Sequence, residues 1–415
     1  MDETSLSLEL QARQLLSAAA VRGRAQQLLQ HGCDGRLEHF AVDLDRLAAC
    51  ADEVVTTIEA AYPTLEVPLH ARWRHFAVGG LKRWMTLARA APWPDAAAKA
   101  RAAFDLAIVS VLLDAGAGAG WRYMEGRTGE TYARSEGLAI ASFEMFISGA
   151  LSSRPDDPFR VDADALMTLD AEELARAFQA RLDNPLLGIE GRAALLNRLG
   201  QVVAANPDVF GSGDDPRPGG LFDVLAGQAE QGRIPAARIL EALLLHLGAI
   251  WPGRIRLGGI NLGDTWRHPL ARAHDATDGL VPFHKLSQWL AYSLIEPLQW
   301  AGLTVTDIDG LTGLPEYRNG GLFIDTAVLQ LKNSGDAAQP HAVDSRLVVE
   351  WRALTVALLD RIAPLVRDRL GLGDDEFPLA KVLEGGTWAT GRRLARARRP
   401  DGAPPLTVIS DGTVF

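Results

Sequence analysis

The stretch VPFHKLSQWLAYSLIEPLQWAGL, residues 281–303, decides the fold class. Wound as a helix, it places Leu286, Leu290, Leu294 and Leu298 on one stripe, every fourth residue, as a core-facing seam requires. Lys285, Gln288, Trp289, Tyr292 and Glu296 fall on a second stripe. A stripe mixing two aromatics with a lysine, an amide and a carboxylate is unusual for a solvent face. It suits the wall of a pocket, with rings for stacking and polar tips for orientation. The plainer reading is a half-buried face along which Lys285 snorkels to water. Pro297 is expected to end the helix just after Glu296.

The same helical spacing recurs on both sides of this stretch. Leu44, Leu47, Ala51, Val54 and Ile58 repeat at three or four, as do Phe104, Ile108, Val111 and Leu112. Asp170 followed by Glu173 has the form of a capping box ahead of Leu174 and Phe178. Leu195, Leu196, Leu199, Val202 and Val203 make another stripe, stopped by Asn206-Pro207. Pro235 sits where a helix start tolerates proline, ahead of Ile239, Leu243, Leu247 and Ile250. Val348 to Leu370 reads as one long helix with a kink at Pro364. Strand signals are short: Leu303–Val305, Leu322–Asp325 and Leu406–Ile409. Without regular strand–helix alternation, a parallel α/β sheet is not expected. The prediction is a mostly α protein with small β additions. GSGDDPRPGG, residues 211–220, reads as a loop between an N-terminal helical part (1–210) and a second helical part (221–415), packed as one compact unit.

At 415 residues, 47% hydrophobic and 23% charged, the chain can bury a large core without disulfides or metal. Its 42 basic and 52 acidic residues leave a net charge of −10, which argues against a nucleic-acid partner. Cys33 and Cys50 are too few for a disulfide framework and are expected as reduced thiols. MDETSLSLELQARQ has no apolar signal region, and no run of 18 apolar residues occurs. A cytoplasmic protein without a membrane partner is the expectation.

Three segments concentrate chemistry-bearing residues. VLLDAGAGAG, residues 111–120, imitates a nucleotide-binding loop, but such a loop needs a strand before its glycines and a helix after them. Here the preceding run is helical and the following residues are turn-rich. Two readings remain: a helix end followed by a glycine turn, or a pocket at that helix end lined by Asp114, Trp121 and Tyr123. RIRLGGINLGDTWRHP, residues 254–269, packs Arg256, Asn261, Asp264, Trp266, Arg267 and His268 into a glycine-punctuated loop. TDIDGLTGLPEYRNGGLFIDT, residues 306–326, carries Asp307, Asp309, Glu316 and Asp325. Asp309-Gly310 is also a turn signal, so some of these acids serve turns or caps. Glu316-Tyr317-Arg318 after Pro315 offers an acid, an aromatic ring and a fixed cation together. His268, His274, Asp275, Asp278 and His284 match no zinc spacing, and His70 and His75 would point to different faces of a helix. No metal site and no cofactor is expected.

These segments make the chain recognisable. HFAVDLDRL (39–47), VPLHARWRHF (67–76), VSVLLDAGAGAGWRYMEGRTGETYARSEGLA (109–139), RLGGINLGDTWRHP (256–269), LTGLPEYRNGGLFIDTAVL (311–329) and PPLTVISDGTVF (404–415) resemble the uracil-catabolism family long labelled a domain of unknown function. Its fungal members act in the breakdown of uracil through a ring-opened ribosyl compound to urea. FHKLSQWL followed by LTGLPEYR is also similar to the queuosine-salvage glycosidases, with their YKRAQ helix and LTxFADYR motif. That likeness implies a helix-hairpin-helix DNA-glycosylase-like core in the 221–415 part and cleavage of an N-glycosidic bond. Lys285 matches the lysine, Gln288 the glutamine and Tyr317-Arg318 the YR pair, while Glu316 stands where those proteins carry aspartate. Trp121 and Glu136 fall near the same family's ligand-binding stretch.

The resemblance implies an N-glycosyl hydrolase acting on a small-molecule substrate, ribosylurea or its 5′-phosphate, to release urea. The expected catalytic groups are Glu316, Lys285, Asp325 and Asp114. The expected substrate contacts are Trp121, Tyr123, Glu136, Trp266, Arg267, His268, His284, Gln288, Tyr292, Asp309, Tyr317 and Arg318. A carboxylate would stabilise the sugar cation, a carboxylate would activate water, and Arg318 or Arg267 would hold a phosphate. An amidohydrolase acting on a ureido intermediate of the same pathway, or a binding protein without turnover, remain open alternatives.

Overall fold

The structure, a computed structural model, describes residues 3–114, 116–118, 120–211 and 216–409. Part of the 211–220 loop and the end of the 404–415 segment lie outside the described residues. The chain is mostly α, and its described strands are two or three residues long and paired in twos. No helix among the described residues is long and apolar enough to cross a membrane. The chain divides into two interleaved units: residues 1–70, 253–288 and 307–415, and residues 71–252 and 289–306.

The first unit is organised by helix Arg346–Leu370, 25 residues long. Ser345 caps it by accepting the Val348 N–H at 3.3 Å, and Gly371 ends it at φ +68°. Every residue from Leu347 to Leu359 is buried, including Glu350 and Arg352. A helix buried on all sides lies at the centre of a core. Helices Ala18–Cys33 and Leu47–Ala61 pack against it.

The expected strand Leu322–Asp325 is instead the end of helix Tyr317–Asp325. Short apolar runs do not distinguish strand from helix by periodicity. Here the decision comes from the helix start, capped twice by Glu316, and from close packing. A Cβ on Gly320 would sit 2.7 Å from the Trp351 ring, and one on Gly391 would strike the Arg318 carbonyl. The glycines let this helix pack against helices Arg346–Leu370 and Trp388–Arg398. The other two strand expectations correspond to Thr304–Thr306, paired with Arg233–Pro235, and Thr407–Ile409, paired with Pro340–Ala342.

In the second unit helix Ala96–Leu112 starts at Asp95, whose carboxylate accepts the Ala98 N–H at 2.7 Å. It is buried throughout from Ala102 to Leu112. Helices Arg134–Ile147, Ile189–Ala205 and Leu221–Gln228 pack on it. Because this helix precedes the glycines of residues 116–120, and a two-stranded turn (Tyr123–Met124 with Thr131–Tyr132) follows them, the nucleotide-loop geometry is absent. Asp170 caps helix Ala171–Ala177 through the Glu173 N–H at 2.7 Å.

Helix Lys285–Trp300 gives its first turn to the first unit and the rest to the second. Pro297 does not end it; the helix runs on to Trp300. A helical proline leaves the carbonyl four residues earlier without its N–H partner. That carbonyl, on Ser293, accepts the Trp73 indole N–H at 2.6 Å, which explains the tolerance. Both stripes of this helix are buried, apart from partial exposure at Lys285 and Glu296, so the core seam is wider than the leucine spacing predicts.

Candidate active site

Two sequence segments meet at the start of helix Lys285–Trp300. Strands Thr265–Arg267 and Leu280–Pro282 pair antiparallel and bring Asp264 beside that start. The Asp264 carboxylate accepts the Lys285 N–H at 2.9 Å, the Trp266 indole N–H at 2.6 Å and both Arg352 Nη groups at 2.8 and 2.7 Å. Burial alone would raise its pKa. The Arg352 charge and these bonds outweigh that and bring it to about 2. A carboxylate that stays ionised in the interior is thereby held at the mouth of the helix that carries Lys285 and Gln288.

Gln288 is fully buried. Its Oε1 accepts the Thr312 N–H at 3.0 Å, and its amide N–H groups meet the Thr312 hydroxyl and, at 3.4 Å, the Phe283 carbonyl. The glutamine thus fixes the LTGLPEYR segment against the helix. That segment delivers Glu316, which caps helix Tyr317–Asp325: Oε2 accepts the Arg318 N–H at 2.8 Å and Oε1 the Asn319 N–H at 2.6 Å. Asn319 returns a bond to the Leu314 carbonyl at 3.1 Å. Burial pushes the Glu316 carboxyl up from its ordinary range; its two backbone N–H partners and the charges of Lys285 and His70 oppose that rise. A buried carboxylate near a lysine charge can stabilise developing positive charge or take a proton from water.

His70 stands beside this group. Its Nδ1 lies 2.6 Å from the Glu384 carboxylate. Glu384 is part of a π-helical turn, Leu383–Thr387, a geometry frequent at functional sites.

The family model described as "Protein of unknown function (DUF1688)" matches residues 14–415. The chain belongs to the DUF1688 family. It is 41% identical over 413 residues to "Protein urg3" of Schizosaccharomyces pombe, covering 97% of this chain and 98% of that protein. It is 37% identical over 435 residues to "Uracil catabolism protein 4" of Lachancea kluyveri, covering 96% of this chain and 98% of that protein.

In this DUF1688 chain, other residues expected at a site are engaged in holding the first unit together. Asp325 accepts from Arg399 at 2.9 and 2.6 Å. Asp309 pairs with Arg367 and accepts the Leu379 N–H at 2.6 Å. His268 is buried, 3.3 Å from Glu350, and His284 is buried with Nε2 2.9 Å from the Leu15 carbonyl. Burial lowers the His284 pKa. Arg267 is exposed. Trp266 lies 5.1 Å under the Arg254 guanidinium. Arg318 stacks on the exposed Tyr317 and donates to the Gly402 carbonyl at 2.9 Å.

In the second unit two of the expected residues, Asp114 and Glu136, act on an arginine that sequence reasoning does not single out. Arg72 is fully buried, 3.1 Å from Asp114 and 2.7 Å from the Ser110 hydroxyl. Among the described residues its Nη2 finds no hydrogen-bond partner. Burial lowers the Arg72 pKa, and the charges of Asp114 and Glu136 counter that. Trp121 is fully buried, stacked on Phe178 and donating to the Phe178 carbonyl at 3.0 Å. Tyr123 is buried, which pushes its hydroxyl up to about 12. Tyr292 is fully buried.

His70 and Glu384 also escape the sequence reading, which weighs His70 only against His75. They lie 314 positions apart, and a π-helical turn has no reliable sequence signature. The Gly385-Gly386 pair was the available hint.

Proposed function

We propose that the chain is an N-glycosyl hydrolase of uracil catabolism that cleaves ribosylurea or its 5′-phosphate to urea and ribose or ribose phosphate. The buried Glu316 carboxylate, with the Lys285 charge acting on it, is the observation that carries this reading. The relative named for uracil catabolism supports the pathway, and the likeness of FHKLSQ and LTGLPEYR to queuosine-salvage glycosidases supports the bond type. As the C1′–N bond lengthens, positive charge spreads over the ribose ring. A fixed carboxylate in a water-poor site stabilises that charge strongly, because it is already oriented before the reaction. Glu316 faces the sugar cation and accepts a proton from the attacking water, while Lys285 favours its ionised form. The two backbone bonds to Glu316 hold its carboxyl plane, so the charge does not swing away.

The experiment is incubation of the purified full chain with ribosylurea and with its 5′-phosphate, with urea assayed over time. Urea release from either, abolished in Glu316→Gln, supports the reading. No release from either substrate overturns it.

A further inference from the structure

We infer that His70 donates the proton that urea needs in order to leave, and that Glu384 is the positioning residue that holds the ring for that transfer. The inference rests on the glycosidase reading and adds the proton donor that it lacks. Urea is a poor leaving group as an anion, so its nitrogen must be protonated as the bond breaks.

His70 Nδ1 and the Glu384 carboxylate are 2.6 Å apart, with side chains 11% and 19% exposed. A carboxylate accepting from Nδ1–H fixes the tautomer, leaves Nε2 as the transferring nitrogen and stabilises the imidazolium. The histidine backbone is fixed as well, its N–H donating to the Ala380 carbonyl at 3.1 Å. The π-helical turn seats Glu384 firmly. Cβ atoms on Gly385 and Gly386 would fall 2.9 Å from Val67 and 2.6 Å from Val54, so the turn lies tight on its neighbours. Thr387, at the end of the turn, donates to Asn319 Oδ1 at 2.8 Å, and the Asn319 N–H donates to Glu316 at 2.6 Å. Two hydrogen bonds thus tie the turn bearing Glu384 to the carboxylate assigned to the sugar cation.

In the reaction the C1′–N bond breaks and its electron pair stays on nitrogen. The Nε2 proton of His70 goes to that nitrogen and gives neutral urea. The water oxygen bonds to C1′ and its proton passes to Glu316. Exchange with solvent then returns one proton to His70 and removes one from Glu316, so the enzyme is unchanged.

The test compares wild type, His70→Gln, Glu384→Gln and Glu316→Gln on ribosylurea and on 4-nitrophenyl riboside, whose leaving group departs as a stable anion. His70→Gln should lower kcat on ribosylurea by about 100-fold or more, the usual scale of general acid catalysis, with KM little changed. The loss should largely disappear on the aryl riboside, while Glu316→Gln stays impaired on both. Glu384→Gln keeps the shape of the pair and should show the same pattern with a smaller loss, so it carries the test if His70→Gln does not fold. Equal losses on both substrates, or full activity of His70→Gln on ribosylurea, would overturn the inference. Absence of wild-type turnover would instead overturn the glycosidase reading.

Discussion

Asp264 and Arg352 face each other through two parallel charge-assisted hydrogen bonds, 2.8 and 2.7 Å long, with both side chains buried. The same carboxylate holds the first N–H of the helix that carries Lys285. A buried ion pair therefore sets where the candidate site begins, and breaking it disturbs stability and site geometry together.

Asp264→Asn should lower stability by about 3–5 kcal/mol, the usual scale when one partner of a buried pair is removed and the other charge is left behind. The pH dependence has a definite sign. Asp264 falls from an ordinary 3.8 to about 2 in the fold. Its contribution is complete above pH 3.8 and is lost as pH falls through about 2. Urea denaturation at a series of acid pH values should show that loss in wild type and a flatter profile in Asp264→Asn.

Glu316→Gln keeps the length of the cap and removes the charge. Urea release from ribosylurea should drop by about 100-fold or more, with circular dichroism unchanged and substrate still bound by calorimetry. Lost folding alongside lost activity would point to a structural cap instead. Undiminished turnover would move the role to another acid.

The pH–rate profile should report the buried position of Glu316. Its carboxyl lies above the ordinary glutamate range because burial penalises the charged form. In the proposed mechanism Glu316 acts in its ionised form, so the acid limb of kcat/KM should lie above that range. Lys285→Met removes a charge that favours ionisation and should move the limb to still higher pH. An unmoved limb would place the titrating group elsewhere.

Gly391→Ala should destabilise the chain by about 1–3 kcal/mol, the usual cost of overpacking, and at the upper end because the Cβ would meet the Arg318 carbonyl, which is backbone and cannot turn aside. A differential scanning calorimetry midpoint several degrees lower is the expected result. An unchanged midpoint would show that helices Tyr317–Asp325 and Trp388–Arg398 separate easily.

The amino-acid order by itself determined most of the helices, because helical burial repeats at three and four and local caps mark the starts. The stripe from Leu195 to Val203 and the Asp170 cap are structural facts readable within a few residues. The motifs FHKLSQ and LTGLPEYR are readable in the sequence, but that Gln288 of one bonds Thr312 of the other is a tertiary fact. Only the tertiary structure decided matters that depend on distant partners. Leu322–Asp325 became helix through the Glu316 cap and glycine-permitted packing, and Pro297 stayed helical because Trp73 took the orphaned Ser293 carbonyl. His70 met Glu384 across 314 positions of chain. Periodicity and capping act over one or two turns, so they write themselves into local order; a carbonyl's substitute donor or a histidine's carboxylate is chosen by whichever segment the folded chain brings near.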